Sequence, residues 1–451
     1  MNVETLSARI GGTVITRFDP VYDSASDALV WNGRKPERQA SLIVRASSAA
    51  DVQEAVRYAA AAGMTVSPRG GGHQFTGIAA RADMVIDLGA LDGMSLDVAG
   101  CRARIEPAVT NTRLAAALDR HGLAFPTGHC GSVTVSGYLL GGGIGWNAAA
   151  WGIACFSVLA VEVVMADGTL ITASATEHAD VFWAVRGGGP EFFGIVTAYH
   201  VRLYEAPRGA TTVVRVYPAG RQTAVALWAE RVMAKAPECV EFTLKVDATP
   251  QGPVIAAITT VFAASEAESM AICAALGQGA PDGALEVAGP MPTPIPALYG
   301  FTEPSTPKGH RYGVDTFWSD ARLADALAPM VEAVARAPSR QSFAVMTLRP
   351  NARPVPSEAA FSCSGRIIGV LYGVWPDEED DAANLAWLRA GLDACRPVAL
   401  GSYVGEADLD RPGGPLPTLS PAAAARLAEL GLRHDPAGLF GNRETQRLAA
   451  E

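Results

Sequence analysis

Two of the glycine runs in the first half of the chain stand out, Gly70–Gly72 and the run that begins Gly141–Gly143, and no other feature restricts its folding so strongly. A glycine run gains nothing inside a helix or strand, because glycine loses the most backbone freedom on ordering and packs no side chain. Each run is therefore read as a connection that must approach something closely. The first follows the apolar stretch Met64–Ser67 as Pro68-Arg69-Gly70-Gly71-Gly72-His73, a segment expected to be irregular throughout. Neither run fits GxGxxG or GxxxxGK(S/T), so the common nucleotide motifs are absent as such. Successive free N–H groups still form a nest suited to pyrophosphate, with Arg69 adding charge at its edge. The plainer reading is a tight turn between strands.

The residues around these runs alternate strand with helix. Leu42–Arg45 is a short apolar strand, and Ser47 or Ser48 can cap the helix after it. There Val52, Ala55, Val56, Ala59 and Ala60 recur at helical spacing, and Gly63 is a natural stop. Met84–Leu88 and Arg102–Glu106 are further strands. Asn111 is a candidate cap for a helix carrying Leu114, Ala117 and Leu118. Val158–Met165 and Leu170–Ala173 flank Asp167-Gly168, a hairpin signal, and Ile195–Leu203 is another strand.

From about residue 205 the texture changes, with prolines concentrated in PTPIP and RPNARPVP. A length of 451 residues exceeds what one core usually supports. The reading is a first domain over 1–204, a second domain with a sheet and covering helices over 205–395, and a tail, 396–451, returning to the first. Ala382–Ala394 and Pro421–Leu432 are expected helices, and Gly401–Gly405 is expected to be extended. The fold class is α+β in two domains.

The 46 acidic and 36 basic side chains lack the cation clusters that nucleic acid or anionic membranes require. No apolar run reaches the roughly 18 residues of a membrane span. The opening MNVETLSARIGG carries no charged-then-apolar signal pattern, so the cytoplasm is expected. Seven widely spaced cysteines offer neither zinc spacing nor a disulfide framework, and no metal is expected. Taken singly, His73 is a satisfied loop histidine and Cys130 a small buried hydrophobe. The setting of Cys130, in Gly128-His129-Cys130-Gly131-Ser132, is nonetheless a flexible segment and not an apolar strand.

Three segments together, RGGGHQFTG at 69–77, GHCGSVTVSGYLLGGGIGW at 128–146 and FWAVRGGG at 182–189, resemble the vanillyl-alcohol-oxidase superfamily. Within it they resemble the berberine-bridge-enzyme-like oxidases, which hold FAD by two covalent bonds. The resemblance implies a flavin domain and a substrate domain whose antiparallel sheet is covered by helices. It implies FAD linked through His73 and Cys130, and a pyrophosphate loop formed by Arg69, Gly70, Gly71, Gly72, His73, Gln74 and Phe75. Thr127, Gly128, Val133, Thr134, Ser136, Gly137, Gly142 and Gly143 then line the cofactor, as do Gly194, Ile195, Val196 and, in the closing motif, Asn442. An imidazole nitrogen and a thiolate are both able to add to an electrophilic flavin ring.

The family's Tyr-x-Asn-Tyr appears here as Tyr403-Val404-Gly405-Glu406, and a glycine run ending in Asn-Phe-Gly appears as Gly189-Pro190-Glu191-Phe192-Phe193-Gly194. Tyr403 is the candidate base, in need of a nearby cation or donor to depress its pKa. His310, Tyr312, Asp315, Arg366 and Tyr372 are candidates to face the ring. The implied activity is oxidation of an alcohol or amine of a sugar, alkaloid or secondary metabolite, with dioxygen yielding hydrogen peroxide. Val133, three positions after Cys130, leaves room for dioxygen. A dehydrogenase using another acceptor, or a non-redox cyclase, are the alternatives.

Overall fold

A computed structural model describes residues 3–349 and 354–441. Its first sheet has the order β1-β2-β4-β3, with β1 (Thr13–Thr16), β2 (Leu42–Arg45), β3 (Val66–Arg69) and β4 (Met84–Asp87). Both β2 and β3 run parallel to β4. The crossover from β2 to β3 is the helix Ala49–Ala62. Ser48 caps it by accepting from the Asp51 N–H at 3.2 Å, and Gly63 ends it in the left-handed region at φ 65°. Of the expected stripe, Val52, Ala55, Val56 and Ala59 are buried; Ala60 faces outward and Tyr58 takes its place.

Pro68 and Arg69 correct the expectation of an irregular segment, since β3 extends through both. Proline is tolerated because β3 is the edge of its sheet, where its missing N–H leaves no ladder bond unmade. The cap of the helix Asn111–Asp119 is Thr110, not Asn111.

The second sheet has the order β5-β6-β10-β8-β9, with β5 (Met94–Asp97), β6 (Arg102–Ile105), β8 (Val158–Val164), β9 (Leu170–Ser174) and β10 (Ile195–Arg202). A two-residue pair, β7 (Leu123–Ala124) with β11 (Tyr204–Glu205), closes its end. The tail packs here: Leu427 and Leu430 of the helix Pro421–His434 share a core with Val185 and Phe193, and the Leu439 carbonyl accepts from the Val66 N–H at 2.7 Å.

A seven-stranded antiparallel sheet occupies the middle of the chain in the order β15-β12-β14-β13-β17-β18-β16. Its strands are β12 (Gly209–Pro218), β13 (Val240–Asp247), β14 (Val254–Ala263), β15 (Glu286–Pro292), β16 (Arg311–Ser319), β17 (Phe343–Leu348) and β18 (Ile367–Trp375). Strand β13 shows its logic, because VEFTLKVD alternates strictly between buried and half-buried. Phe242, Leu244 and Val246 are fully buried in one core with Trp228, Met330, Leu388 and Leu392 of the covering helices, each contributing roughly 1.5–3 kcal/mol. The other face, with Glu241, Thr243 and Lys245, stays partly open.

Candidate functional site

The first glycine run leaves β3 and turns at Gly72, φ 68°, where a Cβ would stand 2.0 Å from the Leu29 carbonyl oxygen. Only glycine fits there. Arg69 does not reach out as expected. Its guanidinium donates to the Leu29 carbonyl at 3.1 Å, the Ala28 carbonyl at 2.9 Å and Asp87 at 3.2 Å, so it pins the loop. His73 follows, its ring stacked on Trp31 with centroids 4.8 Å apart. Burial and the Arg69 charge lower its pKa to about 4, against a hydrogen bond to the Ser132 backbone. The imidazole is thus neutral at pH 7. With one nitrogen donating to a carbonyl, the other carries a lone pair.

The second loop is fastened by the helix beginning at Asn111. Asn111 donates from its side chain to the Cys130 carbonyl at 3.1 Å and from its backbone to the Val133 carbonyl at 2.9 Å. Cys130 Sγ lies 3.5 Å from Ser132 Oγ, so Ser132 touches both His73 and Cys130. Thr127 accepts from the Tyr299 hydroxyl at 2.8 Å. The two loops press together: a Cβ on Gly70 would meet Ser136, and one on Gly71 would meet Thr134. At Gly142 and Gly143, both with positive φ, the missing side chains are replaced by the rings of Phe361 and Tyr138. Gly137 alone in this stretch has open space where a Cβ would stand. Gln74 is turned to the Ala407 carbonyl at 3.2 Å. Ile195 and Val196 bury their side chains in two cores beside Gly194, so only their backbone is available to a ligand. Asn442 lies outside the described residues.

Tyr403 is 6% exposed, and burial with the nearby Glu406 charge raises its pKa against hydrogen bonds from the Gly143 and Ile144 backbone. That is opposite to what a base requires. Among the other candidates, Tyr372 is half-buried and Tyr312 is fully buried. Asp315 is buried against Arg411 at 3.2 Å, Arg366 binds the Asp320 carbonyl at the surface, and the His310 carbonyl holds the Gly33 N–H at 2.9 Å.

Sequence reasoning missed the group with the best chemistry. The Tyr372 hydroxyl donates to Glu406. Burial raises the Glu406 pKa, while Tyr372 and the His129 charge hold it back. His129 donates from Nε2 to Glu241 at 2.8 Å, and Glu241 also accepts from the Asn147 N–H at 3.3 Å. Burial alone would lower the His129 pKa, but Glu241 outweighs it and raises it. The signal for Glu406 was present as a carboxylate in the motif's second tyrosine position.

His73, His129, Tyr372 and Glu406 are each half-buried. A neutral imidazole and a thiol on adjoining loops, both meeting Ser132, suit covalent attachment of a flavin, so the residues fit FAD. Among the described residues no group of His, Cys, Asp and Glu side chains is placed to hold a metal ion, and no helix is long and apolar enough to cross a membrane.

Residues 40–174 match the family described as FAD binding domain. FAD-linked oxidoreductase ptmO of Penicillium ochrochloron is 28% identical over 395 residues, covering 86% of this chain and 87% of that protein. (R)-6-hydroxynicotine oxidase of Paenarthrobacter nicotinovorans is 40% identical over 200 residues, 44% of this chain and 43% of its own. The structure of BBE-like 1 from Physcomitrella patens superposes with a TM-score of 0.82 at 19% identity, covering 98% of both chains.

Proposed function

We propose that this chain, which has the vanillyl-alcohol-oxidase fold, is an FAD-linked oxidase that holds FAD covalently through His73 and Cys130. The observation that supports the reading is the Tyr372–Glu406 hydrogen bond, joined to His73 by ring contacts through Phe75 and Trp31. FAD, when bound, supplies the two-electron acceptor and returns those electrons to dioxygen as hydrogen peroxide. The chain supplies orientation and proton handling.

In this reading residues 1–204 and the tail form the cofactor domain, and the seven-stranded sheet is the wall that meets the substrate. Glu406 Oε takes the hydroxyl or amine proton of the substrate. Tyr372 fixes that carboxylate by donating to it, and the His129 charge favours its ionised form. A carboxyl whose pKa is raised by burial works closer to neutral pH than a free one. Glu406 therefore takes the role expected of Tyr403, which serves to pack the Gly143–Ile144 backbone.

The test is a peroxide assay over alcohols and amines, together with acid precipitation of the purified protein. Yellow colour retained in the pellet and peroxide formed with an active substrate support the reading; free flavin in the supernatant or transfer only to artificial acceptors overturns it.

A further inference from the structure

The backbone that carries Cys130 is held from two directions. On one side stands the helix Asn111–Asp119. Asn111 donates to the Cys130 and Val133 carbonyls at 3.1 and 2.9 Å, and the Thr112 N–H donates to the Gly131 carbonyl at 3.0 Å. On the other side stands the helix Ile295–Thr302, which comes from the segment that builds the seven-stranded sheet. Its Thr302 hydroxyl donates to the His129 carbonyl at 2.7 Å; the Tyr299 carbonyl of its own helix, at 3.3 Å, is the longer alternative. The Tyr299 hydroxyl donates to Thr127 Oγ1 at 2.8 Å. Gly131 fits between the two helices, since a Cβ there would stand 2.1 Å from Thr112 Oγ1 and 3.2 Å from the Tyr299 ring.

The loop that carries His73 is fastened differently. Arg69 donates to the Ala28 and Leu29 carbonyls and to Asp87, and the Gly72 carbonyl accepts from the Trp31 N–H at 2.9 Å. These partners all come from residues up to Asp87. The helix Ile295–Thr302 docks through Ile295, Leu298 and Tyr299, which recur at i, i+3 and i+4 and share a core with Ala115, Ala124 and Trp146. Thr302 and Tyr299 therefore reach the Cys130 loop only when that core has formed.

We propose that Thr302 and Tyr299 are positioning residues for the attachment at Cys130, so that this bond depends on docking of the helix Ile295–Thr302 and the bond at His73 does not. The proposal rests on the covalent reading above and names what positions one of its two bonds. In that bond the Cys130 S–H and a ring C–H give way to one S–C bond, and two protons and two electrons pass to dioxygen as hydrogen peroxide. The sulfur has to meet one ring carbon, and a misplacement of about 1 Å costs on the order of 100-fold in such a step. Hydrogen bonds on the flanking carbonyl and on Thr127 limit that displacement.

The full-length chain, made without flavin in riboflavin-starved cells, is mixed with FAD in air and quenched with acid at intervals. Mass spectrometry of the peptides carrying residues 73 and 130 then follows each attachment separately. Thr302→Val keeps the side-chain shape and removes the hydroxyl. It is expected to slow attachment at residue 130 about tenfold, the loss of one partly buried hydrogen bond, and to leave residue 73 at the wild-type rate. Tyr299→Phe is expected to slow residue 130 in the same direction, and Thr302→Ser to restore it. Attachment at residue 73 in the same samples shows that each variant folds. Unchanged attachment at residue 130 in Thr302→Val and Tyr299→Phe, equal slowing at both residues, or Thr302→Ser behaving as Thr302→Val would each overturn the positioning role. A wild type that takes no flavin at residue 130 overturns the covalent reading itself, and the proposal with it.

Discussion

Asn32 and Tyr312 exchange the two hydrogen bonds of an antiparallel bridge, although Asn32 contributes only its side chain. Its Nδ2 donates to the Tyr312 carbonyl at 2.9 Å and its Oδ1 accepts from the Tyr312 N–H at 2.9 Å. Strand β16 is an edge of the seven-stranded sheet; Asn32 satisfies the Tyr312 N–H there and shares its carbonyl with Arg34 Nε at 3.3 Å. Asn32→Ala is expected to cost about 1–3 kcal/mol, the cost of orphaning one buried group. Urea unfolding measures it; a loss under about 0.5 kcal/mol would show that water replaces the amide at no penalty.

The proposed attachment of the cofactor at two points predicts that either bond alone suffices. His73→Ala and Cys130→Ala should each leave flavin in the acid pellet, and only the double variant should release it. Mass spectrometry of the peptides carrying residues 73 and 130 checks the assignment: an unmodified peptide at either position in the wild type removes that bond from the account.

The His129–Glu241 pair carries a pH signature. Its folded pKa is raised above the ordinary histidine value, so the stability it contributes is fully present below about pH 6.5 and is lost as pH rises through the folded value. His129→Gln should therefore destabilise the protein more at pH 6 than at pH 9, by thermal unfolding in matched buffers. An equal effect at both would mean that the imidazole is neutral in the fold.

How much of this was legible follows from sequence distance. Strand β13 is not read from the sequence, although VEFTLKVD alternates to bury one face, because the weaker periodicity around it hides the pattern. The helix Ala49–Ala62 carries both its stop signals within a few residues. Pro68 misled because proline argues against a strand unless the strand is an edge, and edge position is a property of the whole sheet. The site was half legible. Glycine runs mark the loops, but Glu406 meets Tyr372 across 34 residues and His129 meets Glu241 across 112. No local pattern encodes such pairs. The partners that hold Arg69, Leu29 and Asp87, are likewise remote in sequence.

Val133 tests the oxygen step. It is half-buried against the core of the second sheet, with its carbonyl fixed by the Asn111 N–H, so its side chain cannot easily move aside. In a close-packed site one added methylene is felt. Val133→Ile is expected to slow reoxidation of the anaerobically reduced flavin about tenfold or more, a change of roughly 1.4 kcal/mol in barrier, while leaving anaerobic reduction by substrate intact. Stopped-flow absorbance follows both half-reactions. Equal reoxidation rates would take Val133 out of the oxygen path.

The helix Pro421–His434 and Leu439 complete cores begun by Val66, Val185 and Phe193. A nascent chain therefore leaves the ribosome with its first two sheets unfinished for as long as the intervening seven-stranded sheet is being made, at about 5–20 residues per second. Apolar surface around Val185 stays open for that interval, and closes only when the last elements emerge. Completion of the cores that carry the two glycine loops is in this sense a late event, timed by translation of the tail and not by the order in which the glycine runs appear.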